Sequence, residues 1–230
     1  MEIIPAIMPK SFEDMRNKMA QVFEIVPLVQ LDIMDGFFVA DKTFPFFDKD
    51  RGDMARILAQ EDGLPYWNEI DVELDLMVKY AHKDFATFVA LGPKRIIFHI
   101  EAEGNTEEFK DFLEAIDMYT RENIEIGVAI NNDTPIENIY PLIPHLSFVQ
   151  CMGIAQIGLQ GEEFDERVLK RITILKEKFP NLDISVDGSV NKNTILALKE
   201  AGANRFVVGS AIFGSVFPED EIAELQEIIN

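Results

Sequence analysis

The sequence is poor in the residues that build staples and nitrogen-rich metal sites, with 1 cysteine, 3 histidines and 1 tryptophan in 230 residues. A single cysteine excludes an internal disulfide, and a reducing cytoplasm is the simplest home for such a chain. Cys151 lies in the apolar run Phe148–Met152 and reads as a small buried residue. Positive charge is scarce too: 21 Lys and Arg face 41 Asp and Glu, for a formal net charge of −20. That balance argues against nucleic acid or an anionic membrane as partner, because both would be repelled. A small anion held by backbone N–H groups is still compatible with it. No apolar run approaches the roughly 18 residues of a transmembrane helix. Residues 1–8, with Glu2 and Pro5 among them, carry no targeting signal.

What is present is alternation. A length of 230 residues with 47% hydrophobic content and no polar tract suits one large α/β domain over residues 1–230. Short apolar runs at 2–7, 28–33, 70–76, 95–100, 125–130, 148–152, 183–187 and 205–209 read as strands covered on their outer side. Helical patterns fall near 12–24, 51–61, 79–91, 106–122, 136–141, 166–179, 193–201 and 220–229, the last opening on a solvated acidic stretch. Ser11 with Asp14 three residues on has capping-box spacing. Thr106 before Glu107 and Glu108, and Thr134 before Pro135, read as further helix starts. Eight strand–helix alternations without a linker predict a single (β/α)8 TIM barrel, with a doubly wound open sheet as the alternative.

In such a barrel the reacting groups sit at the C-terminal strand ends. Alternation then puts Gln30, Asp32 and Met34 on one face of the second strand, and Glu73, Asp75 and Met77 on one face of the third. The fourth strand ends at His99 and Glu101, the sixth at Met152 and the seventh at Asp187. Asp32, Asp75 and Asp187 should therefore converge, and three converging acids need either raised pKa values or a shared cation. Gly188-Ser189 after the seventh strand and Gly209-Ser210 after the eighth leave backbone N–H groups free to approach a phosphate. Either pair alone is more often a turn. His99 reads equally as a substrate contact or a hydrogen-bonded core histidine, while His82 and His145 show no evident partner.

These motifs carry a resemblance. Leu31-Asp32-Ile33-Met34-Asp35-Gly36-Phe37-Phe38-Val39, Asp75-Leu76-Met77, His99-Ile100-Glu101, Val186-Asp187-Gly188-Ser189-Val190-Asn191 and Val208-Gly209-Ser210-Ala211-Ile212-Phe213-Gly214 resemble, in order, the signatures of the ribulose-phosphate 3-epimerase family. The resemblance implies a ribulose-phosphate-binding barrel that inverts C3 of a ketose phosphate, ribulose 5-phosphate/xylulose 5-phosphate or a related ketulose phosphate. Asp32 and Asp187 would be the two proton carriers, working on opposite faces through a metal-stabilised enediolate. Met34, Met77 and Met152 match the methionines that shield the intermediate, although ordinary barrel packing explains them as well. Gly158 and Gly161 match the phosphate-side loop after strand six. The resemblance also implies assembly into homo-oligomers.

The departures are as informative. The family's metal ligands include two histidines; here those positions are Gln30 and Asp75, so the ligand set becomes Gln30, Asp32, Asp75 and Asp187. An all-oxygen set favours Mg or Mn over Zn. The serine near the start of the chain is Ala6, and the strand-six loop reads Ala155-Gln156-Ile157-Gly158-Leu159-Gln160-Gly161, keeping only a Gly-x-x-Gly spacing with one extra residue. Loss of both histidines and the serine supports an alternative, a catalytically silent sugar-phosphate-binding paralogue. A decarboxylase of related fold would place Asp-x-Lys-x-x-Asp on strand three. This chain has Glu73 at the lysine and Leu76 at the last acid.

Overall fold

The computed structural model describes residues 1–230. Its elements run β1 (Glu2–Ile7), α1 (Phe12–Met19), β2 (Leu28–Met34), α2 (Arg51–Leu58), β3 (Asp71–Met77), α3 (Phe85–Val89), β4 (Arg95–His99), α4 (Thr106–Ala115), α5 (Met118–Asn123), β5 (Glu125–Ile130), β6 (Phe148–Met152), α6 (Arg167–Lys178), β7 (Asp183–Asp187), α7 (Ile195–Ala201), β8 (Arg205–Val208), α8 (Ser210–Phe213) and α9 (Pro218–Ile229). The eight strands pair in sequence order, all parallel, and β8 returns to β1 to close a barrel. The closed order rules out the doubly wound open sheet.

Outward-facing strand residues such as Val29, Leu31, Ile33, Leu74 and Leu76 pack against the helices in one continuous apolar core. The barrel interior differs from the usual branched aliphatic filling. Gln30, Asp32, Glu73, Asp75, Arg95, His99, Gln150, Ser185 and Arg205 are all buried. At the N-terminal end Arg95 meets Glu2 at 2.9 Å and Glu73 at 3.2 Å, while Arg205 meets Glu125 at 2.9 Å and Asp183 at 3.1 Å. Burial pushes Glu73 up to about 7, against the opposing pull of Arg95.

Several helix starts differ from the sequence expectation. Ser11 caps α1 as expected, its Oγ accepting the Asp14 N–H at 3.1 Å, but Asp14 reaches back to the Lys10 N–H, one residue before the cap. The cap of α4 is Asn105, not Thr106: its side-chain oxygen accepts the N–H groups of Glu107 and Glu108. The 106–122 helix breaks at Ile116, which is extended, and Asp117 restarts the chain by accepting the Thr120 N–H. The 79–91 stretch is a 3-10 turn, Ala81–Asp84, followed by the short α3. At 136–141 there is only a 3-10 turn, Ile136–Ile139, and Thr134 caps nothing there because its hydroxyl donates to Glu101 at 2.5 Å.

Candidate functional site

The strand register sets the site. Asp32 and Asp75 are direct partners across β2 and β3, and Met152 and Asp187 are partners across β6 and β7. One oxygen each of Asp32, Asp75 and Asp187 lies within 4.8 Å of the others, so the convergence expected from alternation is present. Gln30 joins them: its Nε2 donates to Asp32 Oδ1 at 2.8 Å and to Asp187 Oδ2 at 2.9 Å. Asp75 is held from the other side, with His99 Nε2 2.9 Å from its Oδ1. Gln30 Oε1 and Asp75 Oδ2 are buried without a protein partner.

Crowded, buried carboxyls resist ionisation. Burial, then the charges of Asp187 and Asp75, hold Asp32 well above the ordinary carboxylate range. Burial and the Asp75 charge push Asp187 up to about 7, against the hydrogen bond from Gln30. Burial opposes the charged form of His99, yet the Asp75 carboxylate outweighs it, so the imidazole is raised above its usual value.

A cavity of about 330 Å³ opens above this cluster. Asp32 and Asp187 line it, with Met77, Met152, Gly158 and Gly161. So do the β7 and β8 loops through Gly188, Ser189, Gly209 and Ser210, and Ala6 and Val207 also line it. No lysine or arginine lines the cavity. Four expected site residues lie outside its lining. Gln30 and Asp75 sit beneath it, and Met34 is fully buried with Met8, Val39 and Met77. His99 is also fully buried and away from the cavity wall, its ring 5.5 Å from that of Phe38. Glu101 is not on the cavity wall, and it accepts the Asn131 N–H at 2.8 Å.

Two loops meet over the mouth. A Cβ on Gly158 would lie 2.9 Å from the Val39 Cβ, so glycine permits the β6 loop to rest on the β2 loop. Ile157 packs against both the Met34–Met77 and the Met152 clusters. Ser189 has φ +55 and spends its hydroxyl on the Glu162 carbonyl at 2.8 Å, tying the β7 and β6 loops together. Sequence reading named Asn191 only within the β7 signature and gave Gln160 no role, and both are on the cavity wall. Gln160 Nε2 lies 3.5 Å from where a Cβ on Gly209 would stand. No motif marks Gln160, because loop closure across the mouth brings it there. His82 and His145, without evident partners in sequence, pair with Glu103 and Glu114 respectively. Cys151 is buried, and that burial pushes its thiol up to about 12.

A closed parallel barrel with acids gathered under a cavity at its C-terminal mouth defines the class as a (β/α)8 barrel with a carboxylate site. Residues 2–213 match the model of the ribulose-phosphate 3 epimerase family. The chain belongs to that family, a family of carbohydrate epimerases. It is 29% identical over 228 residues to a ribulose-phosphate 3-epimerase of Eremothecium gossypii, covering 98% of this chain and 91% of the relative. It is 25% identical over 231 residues to the cytoplasmic isoform of Oryza sativa, covering 99% and 94%. Among solved structures, KGPDC from Streptococcus mutans in complex with D-R5P superposes with a TM-score of 0.71 at 15% identity, covering 99% and 96%. A 3-hexulose-6-phosphate synthase does so with 0.68 at 20%, covering 100% of both chains. Both structural likenesses speak for the fold alone.

Proposed function

We propose that this chain is a ketose-phosphate 3-epimerase acting on ribulose 5-phosphate/xylulose 5-phosphate or a related ketulose phosphate. The observation that carries the reading is that Asp32 and Asp187, alone among the three clustered acids, open onto the cavity. Both have raised pKa values, so near neutral pH one carboxyl can hold a proton while the other takes one. Inversion at a carbon needs such an acid–base pair on its two faces. One aspartate removes the C3 proton and the other delivers a proton from the far side, leaving an enediolate between the two steps. Met77 and Met152 on the cavity wall keep water from the intermediate, with Met34 packed against Met77. Backbone N–H groups around Gly188, Ser189, Gly209 and Ser210, with Gly158 and Gly161 opposite, hold the phosphate.

The family implies a divalent metal, and the residues fit one. Oxygens on adjacent corners of a magnesium or manganese ion bound at about 2.1 Å stand about 3 Å apart. The Gln30 amide nitrogen stands at a comparable spacing from Asp32 and Asp187, the place its oxygen would take after a half-turn of the amide. Binding requires the amide to present its oxygen, the atom that has no protein partner. Gln30, Asp32, Asp75 and Asp187 would hold the ion. All four offer oxygen, which favours Mg or Mn over Zn. A bound ion supplies positive charge that stabilises the enediolate. The single buried cysteine, the relative named as a cytoplasmic isoform and the absence of any helix long and apolar enough to cross a membrane support a cytoplasmic setting.

A second reading, the silent sugar-phosphate-binding paralogue, is favoured by the Gln30 amide that already bridges the two aspartates. Solvent-deuterium wash-in at C3, followed by NMR over ketose 5- and 6-phosphates with Mg, Mn or Zn, separates the two. Exchange that disappears in both Asp32→Asn and Asp187→Asn supports the epimerase. Ketose-phosphate binding without exchange under any metal establishes the paralogue.

A further inference from the structure

His99 has an orientation that the epimerase reading leaves unexplained. It is buried to 0% exposure, away from the cavity, and its Nε2 lies 2.9 Å from Asp75 Oδ1. Asp75 is equally buried, and its other oxygen, Oδ2, has no protein partner. A fully buried carboxylate oxygen without a donor costs about 1–3 kcal/mol or more, so the free oxygen calls for a ligand. Asp75 also lies within 4.8 Å of oxygens on Asp32 and Asp187. The backbone register sets His99 two residues beyond Ile97, the direct partner of Asp75. From there the ring, held against Phe38, reaches back to one carboxylate oxygen.

We propose that His99 is a positioning residue: its Nε2–H occupies Asp75 Oδ1, so that Asp75 offers a divalent cation Oδ2 alone. The His99–Asp75 pair then does the work of a single imidazole ligand, supplying one directed donor atom fixed by a hydrogen bond. An aspartate restricted to one oxygen suits the octahedral shell of magnesium or manganese, whereas calcium readily takes both oxygens of a carboxylate. His99 would thus set both the strength and the selectivity of cation binding without touching substrate. The inference rests on the metal-assisted reading above.

The test is calorimetric titration of chelator-treated protein with Mn2+, Mg2+ and Ca2+, comparing wild type, His99→Leu and His99→Gln, with circular dichroism reporting the fold. Groups that orient metal ligands typically govern affinity by about 10–100-fold. His99→Leu is expected to weaken Mn2+ binding by that factor and to narrow the preference for Mn2+ over Ca2+. His99→Gln retains an N–H donor and is expected to recover most of the affinity. Equal Mn2+ affinity in wild type and folded His99→Leu overturns the role of His99 and leaves the metal reading intact. A wild type that binds none of the three ions overturns the metal reading itself, and this inference with it. Should His99→Leu not fold, wild-type 15N NMR decides: the His99 Nε2–H resonance should shift on saturation with Mg2+, and an unmoved resonance overturns the proposal.

Discussion

Asp32 and Asp187 share a single donor, the Gln30 amide, which stands 2.8 Å from one and 2.9 Å from the other. Two acids on strands β2 and β7 are thereby coupled through a side chain on β2. Removing it leaves two neighbouring carboxyls with no common partner. Hydrogen bonds to charged groups contribute about 1.5–3 kcal/mol, and each 1.36 kcal/mol is about tenfold in rate. Gln30→Leu is therefore expected to slow C3 exchange by about 10–100-fold under saturating substrate, as NMR wash-in would show.

The raised carboxyls make stability fall with rising pH. Glu73 and Asp187 each titrate near about 7 in the folded chain, above their usual values near 4. Between those limits the unfolded chain is ionised while the folded chain keeps its protons. Stability is thus fully present below about pH 4 as far as these groups are concerned, and is lost as pH rises through about 7. The loss is on the order of a few kcal/mol per group. Denaturant melts of chelator-treated protein at pH 5 and 8 check this: the midpoint should be lower at pH 8, and Mn2+ should raise it more there.

At Gly153 the ends of β6 and β7 come into close contact. Its N–H donates to the Asp187 carbonyl at 2.6 Å, and a Cβ would lie 2.2 Å from the Gly188 carbonyl oxygen. Gly153→Ala must push the Asp187-Gly188 backbone aside. Overpacking of this kind costs about 1–3 kcal/mol. A lower melting temperature and slower exchange are expected together.

At the far end of the cavity, Gln160 is the side-chain donor nearest Gly209. Gln160→Ala is expected to raise KM for a ketose phosphate about three- to tenfold, an order-of-magnitude figure for one lost hydrogen bond, and to leave kcat unchanged. A fall in kcat with constant KM would place Gln160 nearer the reacting carbon.

How much of this was legible in the sequence varies with the range of the interaction. Strands were readable because each is a short apolar run, and inward alternation along β2, β3 and β7 was enough to bring Asp32, Asp75 and Asp187 together. Helix edges were less so. Asn105 outcompeted Thr106 as a cap, and Thr134 was drawn off to Glu101, a residue 33 positions away. Pairings such as His99 with Asp75 depend on how far a ring reaches back to the neighbouring strand, which spacing along one strand does not encode. The same holds for Gln160, whose place on the wall follows from a glycine allowing two loops to touch.

The cavity wall without lysine or arginine has a kinetic consequence. A phosphate dianion approaching a surface with net charge −20 is slowed by long-range repulsion, and no basic side chain on the cavity wall draws it in. Most charged ligands are captured more slowly as salt is added, because screening removes attraction. Here screening removes a barrier, so stopped-flow capture of a sugar phosphate should accelerate with ionic strength. An enzyme built this way captures its ligand faster at moderate ionic strength than in dilute buffer.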